Sequence, residues 1–233
     1  MTGSALIVAH GQPSDPEPPE AEIAALAAAV GALLPGWRIA GATLAAPRTL
    51  EQALQDLSDP LVFPFFMADG WFTRSELPRR LAAAGHSSLA ILPAFGLLPG
   101  IATLAAEVAR EAATANGWVV AGTSVLLAAH GSGRSRASAA ATRAIAARLT
   151  GFASVHVGFV EEAPYVADAA RDLGPRALCL PLFVARWGHV QTDIPTALAE
   201  ARFGGELLAP LGTHPTVPAL IARALADHRV TAG

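Results

Sequence analysis

Two histidines and one glutamate in the second half of the chain have the residue types of a metal site. His130 ends the apolar run VLLAAH, Glu161 lies two residues beyond the apolar segment 154–159, and His189 follows the apolar segment 177–183. Two imidazoles and a carboxylate form an open site for a divalent first-row metal ion, with coordination positions left for a substrate. Because imidazole and carboxylate groups both bind metals and accept protons, the residue types leave open which group does which.

Other chemistry at these positions has weaker support. Ser132 and Gly133 form a turn before the next helix, whose N-terminal amides could instead hold an anion. A phosphohistidine enzyme would have arginine just before the histidine, whereas Ala9 and Ala129 precede the two equivalent histidines. The loop also lacks the G-x-G-x-x-G pattern of a dinucleotide site.

The first half of the chain repeats the pattern of the second half. His10 and His130 both follow apolar runs and are 120 residues apart, and three further segment pairs align at offsets of 116 or 117. These pairs are LVFPFFMADGWFTRSELP (61–78) with LCLPLFVARWGHVQTDIP (178–195), AAP (45–47) with EAP (162–164), and AFGLLP (94–99) with PLGTHP (210–215). Four matches in the same order predict a tandem duplication of a unit of about 115 residues. We therefore expect two domains, residues 1–118 and 119–233.

The duplication supplies an internal control for the metal site. At the positions equivalent to the three site residues, the first unit has His10, Leu44 and Phe72. A residue needed only for folding should occur in both copies, so the pattern favours a functional role for Glu161 and His189 and a degenerate site in the first unit. His10 is either structural or lines the opposite wall of a cleft.

Each predicted unit alternates short apolar segments with longer segments of helical spacing. This pattern predicts an α/β fold of two tandem Rossmann-like units, each with a mainly parallel four-stranded sheet flanked by helices. The predicted strands are 5–10, 37–43, 61–67 and 88–92 in the first unit, and 124–130, 154–159, 177–183 and 206–211 in the second. The predicted helices of the second unit are 135–149, 164–173, 194–201 and 217–228. Since parallel strands end at one edge of their sheet, the three site residues should meet there.

The composition excludes several classes of protein. Of the 233 residues, 52% are hydrophobic and only 15% are charged, which is typical of a compact globular protein. All 16 basic residues are arginine, the net charge is −3, and no arginine stripe is interleaved with aromatic residues, so nucleic acid is not an expected partner. Beyond residue 118, ten arginines stand against eight acidic residues, so an anionic ligand should bind the second half.

Neither thiol chemistry nor a membrane is expected. The single cysteine, Cys179, lies in the apolar run ALCLPLF and should be buried. One cysteine forms no intramolecular disulfide and holds no iron–sulfur cluster. No apolar run reaches the roughly 18 residues of a membrane span, and the N-terminal segment lacks the charge and apolar length of a signal peptide. We therefore expect a cytoplasmic protein.

Three motifs resemble those of the class II tetrapyrrole chelatases of the CbiX/SirB type, which insert a metal into sirohydrochlorin. The motifs are AHGS (129–132), GFVEEAP (158–164) and PLFVARWGHVQTDIP (181–195). The resemblance extends from Ala5 to about His228. Short members of this family are single units that pair as dimers, and longer members are fused tandems. The resemblance thus implies a monomer whose two units form an internal pseudo-dimer, with the site in the cleft between them.

The resemblance also implies the roles of individual residues. His130, His189 and Glu161 would be both the metal ligands and the groups that transfer protons. Substrate-binding residues would be His10, Ser132, Arg134, Arg136 and Arg186, with the guanidinium groups holding carboxylates of sirohydrochlorin, which has eight. Trp71, Phe72 and Trp187 either offer flat walls to the ring or pack in the core.

The metal itself would be a substrate, with no permanently bound cofactor. We favour Fe²⁺, which gives siroheme, because that product has the wider uses. A cobaltochelatase of cobalamin biosynthesis is the main alternative and nickel stays open, since histidine and carboxylate ligands follow the Irving–Williams order and do not select iron. A carrier that binds metal or tetrapyrrole without catalysis is the alternative from another class.

Overall fold

The structure is a computed structural model that describes residues 2–46, 48–133 and 135–231, with only the backbone given for the last two. These residues form two compact units. The first unit contains the chain up to Leu98 together with the segment from Pro215 onward, and the second unit contains Pro99–His214.

Seven strands form two parallel sheets in the described part of the chain. They are β1 (Gly3–Ala9), β2 (Trp37–Thr43), β3 (Leu61–Pro64), β4 (Ser124–Ala129), β5 (Ser154–Phe159), β6 (Ala177–Pro181) and β7 (Glu206–Leu207). The first unit has a three-stranded sheet of order β2-β1-β3, and the second has a four-stranded sheet of order β5-β4-β6-β7. The central strands β1 and β4 carry the apolar runs ALIVA and VLLAA. All residues of both runs are buried, as in parallel sheets covered by helices on both faces.

Nine α-helices accompany these strands among the described residues. They are α1 (Glu17–Leu33), α2 (Thr49–Gln55), α3 (Leu77–Ala83), α4 (Ile101–Ala115), α5 (Ala137–Ala146), α6 (Val166–Ala170), α7 (Gly188–Gln191), α8 (Asp193–Glu200) and α9 (Val217–Thr231). A π-helical turn, Phe72–Glu76, leads directly into α3. The predicted α/β fold with parallel sheets is therefore confirmed.

The fourth strand predicted for the first unit, at residues 88–92, does not form. The segment makes a single bridge between Val62 and Ile91, with one hydrogen bond on each side of it. Pro93 follows at once and has no N–H to continue the ladder. The first sheet thus has three strands instead of the expected four.

Several other predicted elements are shorter than expected. Strands β3 and β6 end at Pro64 and Pro181, whereas the apolar segments continue for two or three residues. The helix predicted at 164–173 forms only over Val166–Ala170, because Asp172 takes a left-handed conformation with φ of 62°. The helix predicted at 135–149 spans Ala137–Ala146, and β7 spans two residues of the predicted 206–211.

The two compact units also differ from the expected domains 1–118 and 119–233. Helix α4 belongs to the second unit, where it contacts α5 and β6, and α9 belongs to the first unit, where it contacts α1. Helix α4 is amphipathic and buries a face that includes Ile101, Leu104 and Ala105. A pattern of this kind does not specify which sheet receives the face.

The one cysteine is buried as expected. Cys179 lies in β6, and burial raises the pKa of its thiol to about 12. Among the described residues, no helix has both the length and the apolar character needed to cross a bilayer.

Candidate metal centre

The three predicted site residues of the second unit converge. One nitrogen of His130, one nitrogen of His189 and one carboxylate oxygen of Glu161 all lie within 4.8 Å of one another. The expectation that these side chains meet is confirmed. A first-row ion bound about 2.0–2.2 Å from each ligand atom keeps those atoms about 3–3.5 Å apart. Small side-chain rotations would therefore close the group around an ion.

The ends of the strands place two of these residues. His130 immediately follows β4, and its backbone carbonyl accepts a hydrogen bond of 2.9 Å from the backbone N–H of Glu161 beyond β5. Gly131 then turns the chain with φ of 73°, a conformation that favours glycine. A Cβ at Gly131 would lie 2.8 Å from Cβ of Phe159 and 2.9 Å from Cγ of Glu162, so the turn is also tightly packed.

The third residue lies on a short helix. His189 is the second residue of α7, which follows β6, and its ring centroid lies 4.7 Å from that of His130 with the rings at 86°. This edge-to-face arrangement brings the two imidazoles together without stacking them. Phe183 packs beside both rings, at centroid distances of 6.5 and 6.4 Å.

Hydrogen bonds determine which ring nitrogen of each histidine faces the site. Nδ1 of His130 lies 2.9 Å from the carbonyl oxygen of Gly131, which can only accept, so this nitrogen carries the hydrogen. The lone pair is then on Nε2, which lies 3.6 Å from Oε1 of Glu161. Nδ1 of His189 contacts Oδ2 of Asp193 in the same way, which leaves its Nε2 with the lone pair. In the neutral form of each ring, Nε2 is thus the nitrogen that can bind an ion.

The centre is open to solvent. The exposed fractions of the side chains are 45% for His130, 50% for Glu161 and 37% for His189. The hydrogen bond from His189 holds the pKa of Asp193 below its usual value, with a smaller contribution from Thr192. An ionised Asp193 adds negative charge next to the ligands, which favours a cation.

A second glutamate supports the loop that follows His130. Oε1 of Glu162 accepts a hydrogen bond of 2.8 Å from the backbone N–H of Ser132. The hydroxyl of Ser132 in turn accepts one of 3.2 Å from the backbone N–H of Ser135. The backbone N–H of Ser132 is therefore bound to a carboxylate within the protein.

The first unit has an equivalent arrangement without the metal ligands. Nδ1 of His10 lies 2.8 Å from the carbonyl oxygen of Gly11, and the ring of Phe72 stands at 86° to that of His10 with centroids 4.3 Å apart. The carbonyl oxygen of His10 accepts a hydrogen bond from the backbone N–H of Ala45. In the same way, the carbonyl oxygen of His130 accepts one from the backbone N–H of Glu161. The counterpart of Glu161 is therefore Ala45. The prediction of Leu44 was wrong by one residue, because β2 and β5 align at an offset of 116, whereas Leu44 follows from the offset of 117 that relates β3 to β6.

The remaining predicted residues are distributed as follows. Ser132 lies in the loop after His130, Arg136 is exposed just before α5, and Arg186 is exposed three residues before His189. Arg134 lies outside the described residues, and His10 belongs to the other unit.

The aromatic residues near the two histidine segments differ in their exposure to solvent. Trp71 is 62% exposed and contacts Phe72, whereas Phe72 packs against the hydrophobic core of its unit. Trp187 is half-buried. His214 lies in the second unit, with Nε2 3.9 Å from a carboxylate oxygen of Glu111.

Two residues of the centre were not recognised as functional from the sequence. Asp193 is not among the site residues predicted from the sequence, yet its separation of four residues from His189 is the spacing that brings side chains together on helical turns. Glu162 adjoins Glu161 in the motif VEEAP, and only the structure shows which of the two faces the histidines.

Together, the fold and this centre define an α/β protein with parallel sheets and an exposed group of two histidines and one carboxylate whose donor atoms suit a cation. A family model described as CbiX matches residues 124–228. The solved structure of CbiX, the terminal enzyme for biosynthesis of siroheme in denitrifying bacteria, is 52% identical, with a TM-score of 0.90 over 97% of this chain and 98% of that one. The chain therefore belongs to the CbiX family, and the resemblance noted in its motifs is confirmed.

More distant structures share the fold. DR2241 from Deinococcus radiodurans, a multi-domain protein with structural similarity to chelatases and two additional domains, is 25% identical with a TM-score of 0.76; the match covers 97% of this chain and 55% of DR2241. SirB from Bacillus subtilis, solved with Fe³⁺, is 15% identical with a TM-score of 0.75, over 99% of this chain and 98% of that one, and shows the fold alone. No curated protein sequence gives a significant match.

Proposed function

We propose that this protein is a sirohydrochlorin chelatase that inserts Fe²⁺ to give siroheme. The convergence of His130, His189 and Glu161 is the observation that carries the proposal. Membership of the CbiX family supports the class of reaction, and the relative named for siroheme biosynthesis supports the product. The metal ion is a substrate in this proposal, and no resident cofactor is required.

The centre suits metal insertion because it is incomplete. Two Nε2 atoms and one carboxylate oxygen can replace part of the hydration shell of the ion and leave coordination positions for pyrrole nitrogens. A closed four-ligand site of the structural type would hold the ion without such positions. The exposure of all three side chains gives a hydrated ion direct access.

Insertion also releases protons. The ion forms bonds to the pyrrole nitrogens while two N–H bonds break, so two protons leave for each M²⁺ that enters. We assign the Nε2 atoms of His130 and His189 to the ion, because their Nδ1 atoms already donate hydrogen bonds. Glu161, which is half exposed and 3.6 Å from Nε2 of His130, is placed to accept a pyrrole proton and pass it to water.

Substrate recognition would use the positive charge of the second half. Sirohydrochlorin carries carboxylates, and Arg136 and Arg186 are exposed near the two histidine segments. We propose that these arginines and Arg134 hold carboxylates, assisted by Ser132, and that His10 contacts the substrate from the first unit. Each arginine–carboxylate hydrogen bond contributes roughly 1.5–3 kcal/mol where it is partly desolvated.

Cobalt is the second candidate metal. The ligand set of two imidazoles and a carboxylate binds Co²⁺ more tightly than Fe²⁺, so the ligands alone do not favour iron. Choice of metal would then follow from availability in the cell, and the product from Co²⁺ would serve cobalamin biosynthesis.

An anaerobic insertion assay tests the proposal. Purified protein is incubated with sirohydrochlorin and either Fe²⁺ or Co²⁺, and the absorbance change of the macrocycle is compared with a blank that lacks protein. We expect multiple turnovers per protein, with His189→Ala at the rate of the blank. A single stoichiometric binding step without turnover would instead identify a carrier of metal or tetrapyrrole.

We also propose that the chain is a fused tandem that acts as a monomer, an internal pseudo-dimer. Support comes from the matching strand orders β2-β1-β3 and β5-β4-β6 and from the equivalent ring pairs His10–Phe72 and His130–His189. Size-exclusion chromatography with light scattering should give the mass of one chain, 23.8 kDa. A stable dimer would contradict this part of the proposal.

A further inference from the structure

The carboxylate of Asp193 contacts a ring nitrogen of His189, and Asp193 lies outside the group of three proposed ligands. Oδ2 of Asp193 contacts Nδ1 of His189 four residues earlier, across the junction between α7 and α8. The hydroxyl of Thr192 lies 3.2 Å from the other carboxylate oxygen, Oδ1, and 3.1 Å from the carbonyl oxygen of Gly188, so its hydrogen is shared between these two acceptors. Both oxygens of Asp193 are therefore engaged, and the carboxylate has a defined orientation toward the imidazole.

The two histidines have different partners behind their rings. Nδ1 of His130 donates to a neutral acceptor, the carbonyl oxygen of Gly131. Nδ1 of His189 donates to a charged acceptor, which holds the hydrogen on Nδ1 and increases the electron density available at Nε2. His189 should therefore be the stronger ligand of the pair.

The equivalent acid of the first unit has other partners. Glu76 lies 117 residues before Asp193, and its carboxylate binds Arg79 and Arg80 at 2.7 and 2.8 Å. In that unit Phe72 stands where His189 would be, so no imidazole is present to be oriented. At this position, Asp193 of the second unit contacts an imidazole, whereas Glu76 of the first unit contacts two arginines.

We propose that Asp193 is a positioning residue of the metal centre, which fixes the tautomer and ring orientation of His189 and thereby sets the affinity for the metal ion. This inference rests on the proposed chelatase function and adds a residue to it. Since Asp193 acts through His189, it affects binding of the metal ion and leaves recognition of the tetrapyrrole unchanged.

Titration with Co²⁺, followed by its visible absorption bands, measures the effect without turnover. We expect Asp193→Asn to weaken Co²⁺ binding about 10–100-fold, the usual consequence of losing such a partner. In the insertion assay the KM for the metal should rise by a similar factor, while the KM for sirohydrochlorin stays unchanged. Asp193→Glu keeps the charge and should recover most of the lost affinity.

Asp168→Asn is the matched control. Asp168 also lies in the first turn of a helix of the second unit, and its side chain is 52% exposed, compared with 48% for Asp193. Its partner is Arg171 at 3.1 Å, not a histidine. This variant accounts for any general effect of removing a negative charge from a helix N-terminus, and its Co²⁺ affinity should stay within about 2-fold of wild type.

A measurement on the wild-type protein covers the case in which Asp193→Asn does not fold. The ¹⁵N chemical shifts of the His189 ring in the metal-free protein report the tautomer, and we expect the hydrogen on Nδ1. Hydrogen on Nε2, or equal Co²⁺ affinity of wild type and a folded Asp193→Asn, would overturn the role of Asp193. Failure of the wild-type protein itself to bind Co²⁺ would instead remove the proposed function.

Discussion

The C-terminal ends of β1 and β4 have the same backbone arrangement but carry different side-chain chemistry. In both units a histidine follows the central strand, donates from Nδ1 to the next carbonyl oxygen, and meets a second ring at 86°. In the second unit that ring is His189 and a carboxylate, Glu161, completes the group. In the first unit the corresponding residues are Phe72 and Ala45, which offer no lone pair to an ion.

This difference separates what the fold needs from what the chemistry needs. The histidine after the strand and the left-handed glycine that follows it occur in both units, so they are compatible with a purely structural role. Among the described residues, only the second unit has a second imidazole (His189), a carboxylate beside it (Glu161) and an acid that contacts His189 (Asp193). Residues that change together between the two copies are ones that the fold does not require, and the proposed reaction gives them a role beside His130.

The largest expected effect comes from converting the second unit to the composition of the first. His189→Phe should lower the rate of metal insertion by more than about 100-fold, because loss of a ligand exceeds the 10–100-fold loss typical of an outer partner. The fold should persist, since Phe72 makes the same edge-to-face contact in the first unit. Insertion kinetics and circular dichroism of the variant test both statements. Insertion at the wild-type rate would show that His189 has no part in the reaction.

The second comparison uses the two equivalent glycines. Gly131→Ala and Gly11→Ala both place a Cβ at positive φ and within 2.7–2.9 Å of neighbouring atoms, so each should destabilise the protein by about 1–3 kcal/mol in urea unfolding. Only Gly131→Ala should also reduce Co²⁺ affinity, because Gly131 adjoins a ligand. Equal losses of Co²⁺ affinity in the two variants would mean that both units bind the ion.

A smaller effect is expected for the shared histidine of the first unit. His10→Ala removes a ring contact with Phe72, and such contacts contribute about 0.5–1.5 kcal/mol. The rate of insertion should fall by less than about 10-fold, below the usual loss for an outer partner of a metal. Steady-state kinetics of His10→Ala, giving kcat and the KM for sirohydrochlorin, test the expected change in rate. A loss as large as that of His189→Phe would give both units a share in the chemistry.

The smallest effect on activity is expected for Glu76, the counterpart of Asp193. Hydrogen bonds from Arg79 and then Arg80 lower the pKa of Glu76 to about 2. Since its unfolded value is about 4.3, the stabilisation is complete above that pH and is lost as the pH falls toward 2. Glu76→Gln should leave insertion at pH 7 unchanged and should reduce the difference in urea midpoint between pH 7 and pH 3. An unchanged difference would contradict the assigned pKa.

The sequence predicted the convergence of His130, Glu161 and His189 better than it predicted the boundaries of the units. The positions of His130, Glu161 and His189 follow from one rule, that parallel strands end at a common edge, and this rule holds whatever the exact lengths of the strands. Asp193 was not recognised because an acidic residue at a helix start already has an ordinary explanation in the helix dipole. Its hydrogen-bonding partner depends on the turn between α7 and α8.

The domain boundaries depend on tertiary packing. The repeat suggested that each half of the chain forms its own unit, yet α4 and α9 each belong to the unit built mainly from the other half. The sequence predicts a helix at 217–228, but the choice between two similar sheets depends on the fit of side chains in the folded protein. The absence of the expected fourth strand in the first unit has a more local cause, because Pro93 directly follows the short segment 88–92.

The place of α9 has a consequence for synthesis of the protein on the ribosome. The second unit is continuous from Pro99 to His214, so its residues emerge one after another and it can fold as soon as the last of them is free. The first unit receives α9 against α1 and cannot be completed until the end of that helix emerges. We therefore expect the unit made first to be finished last, with the surface of α1 that α9 covers exposed to chaperones until translation reaches α9.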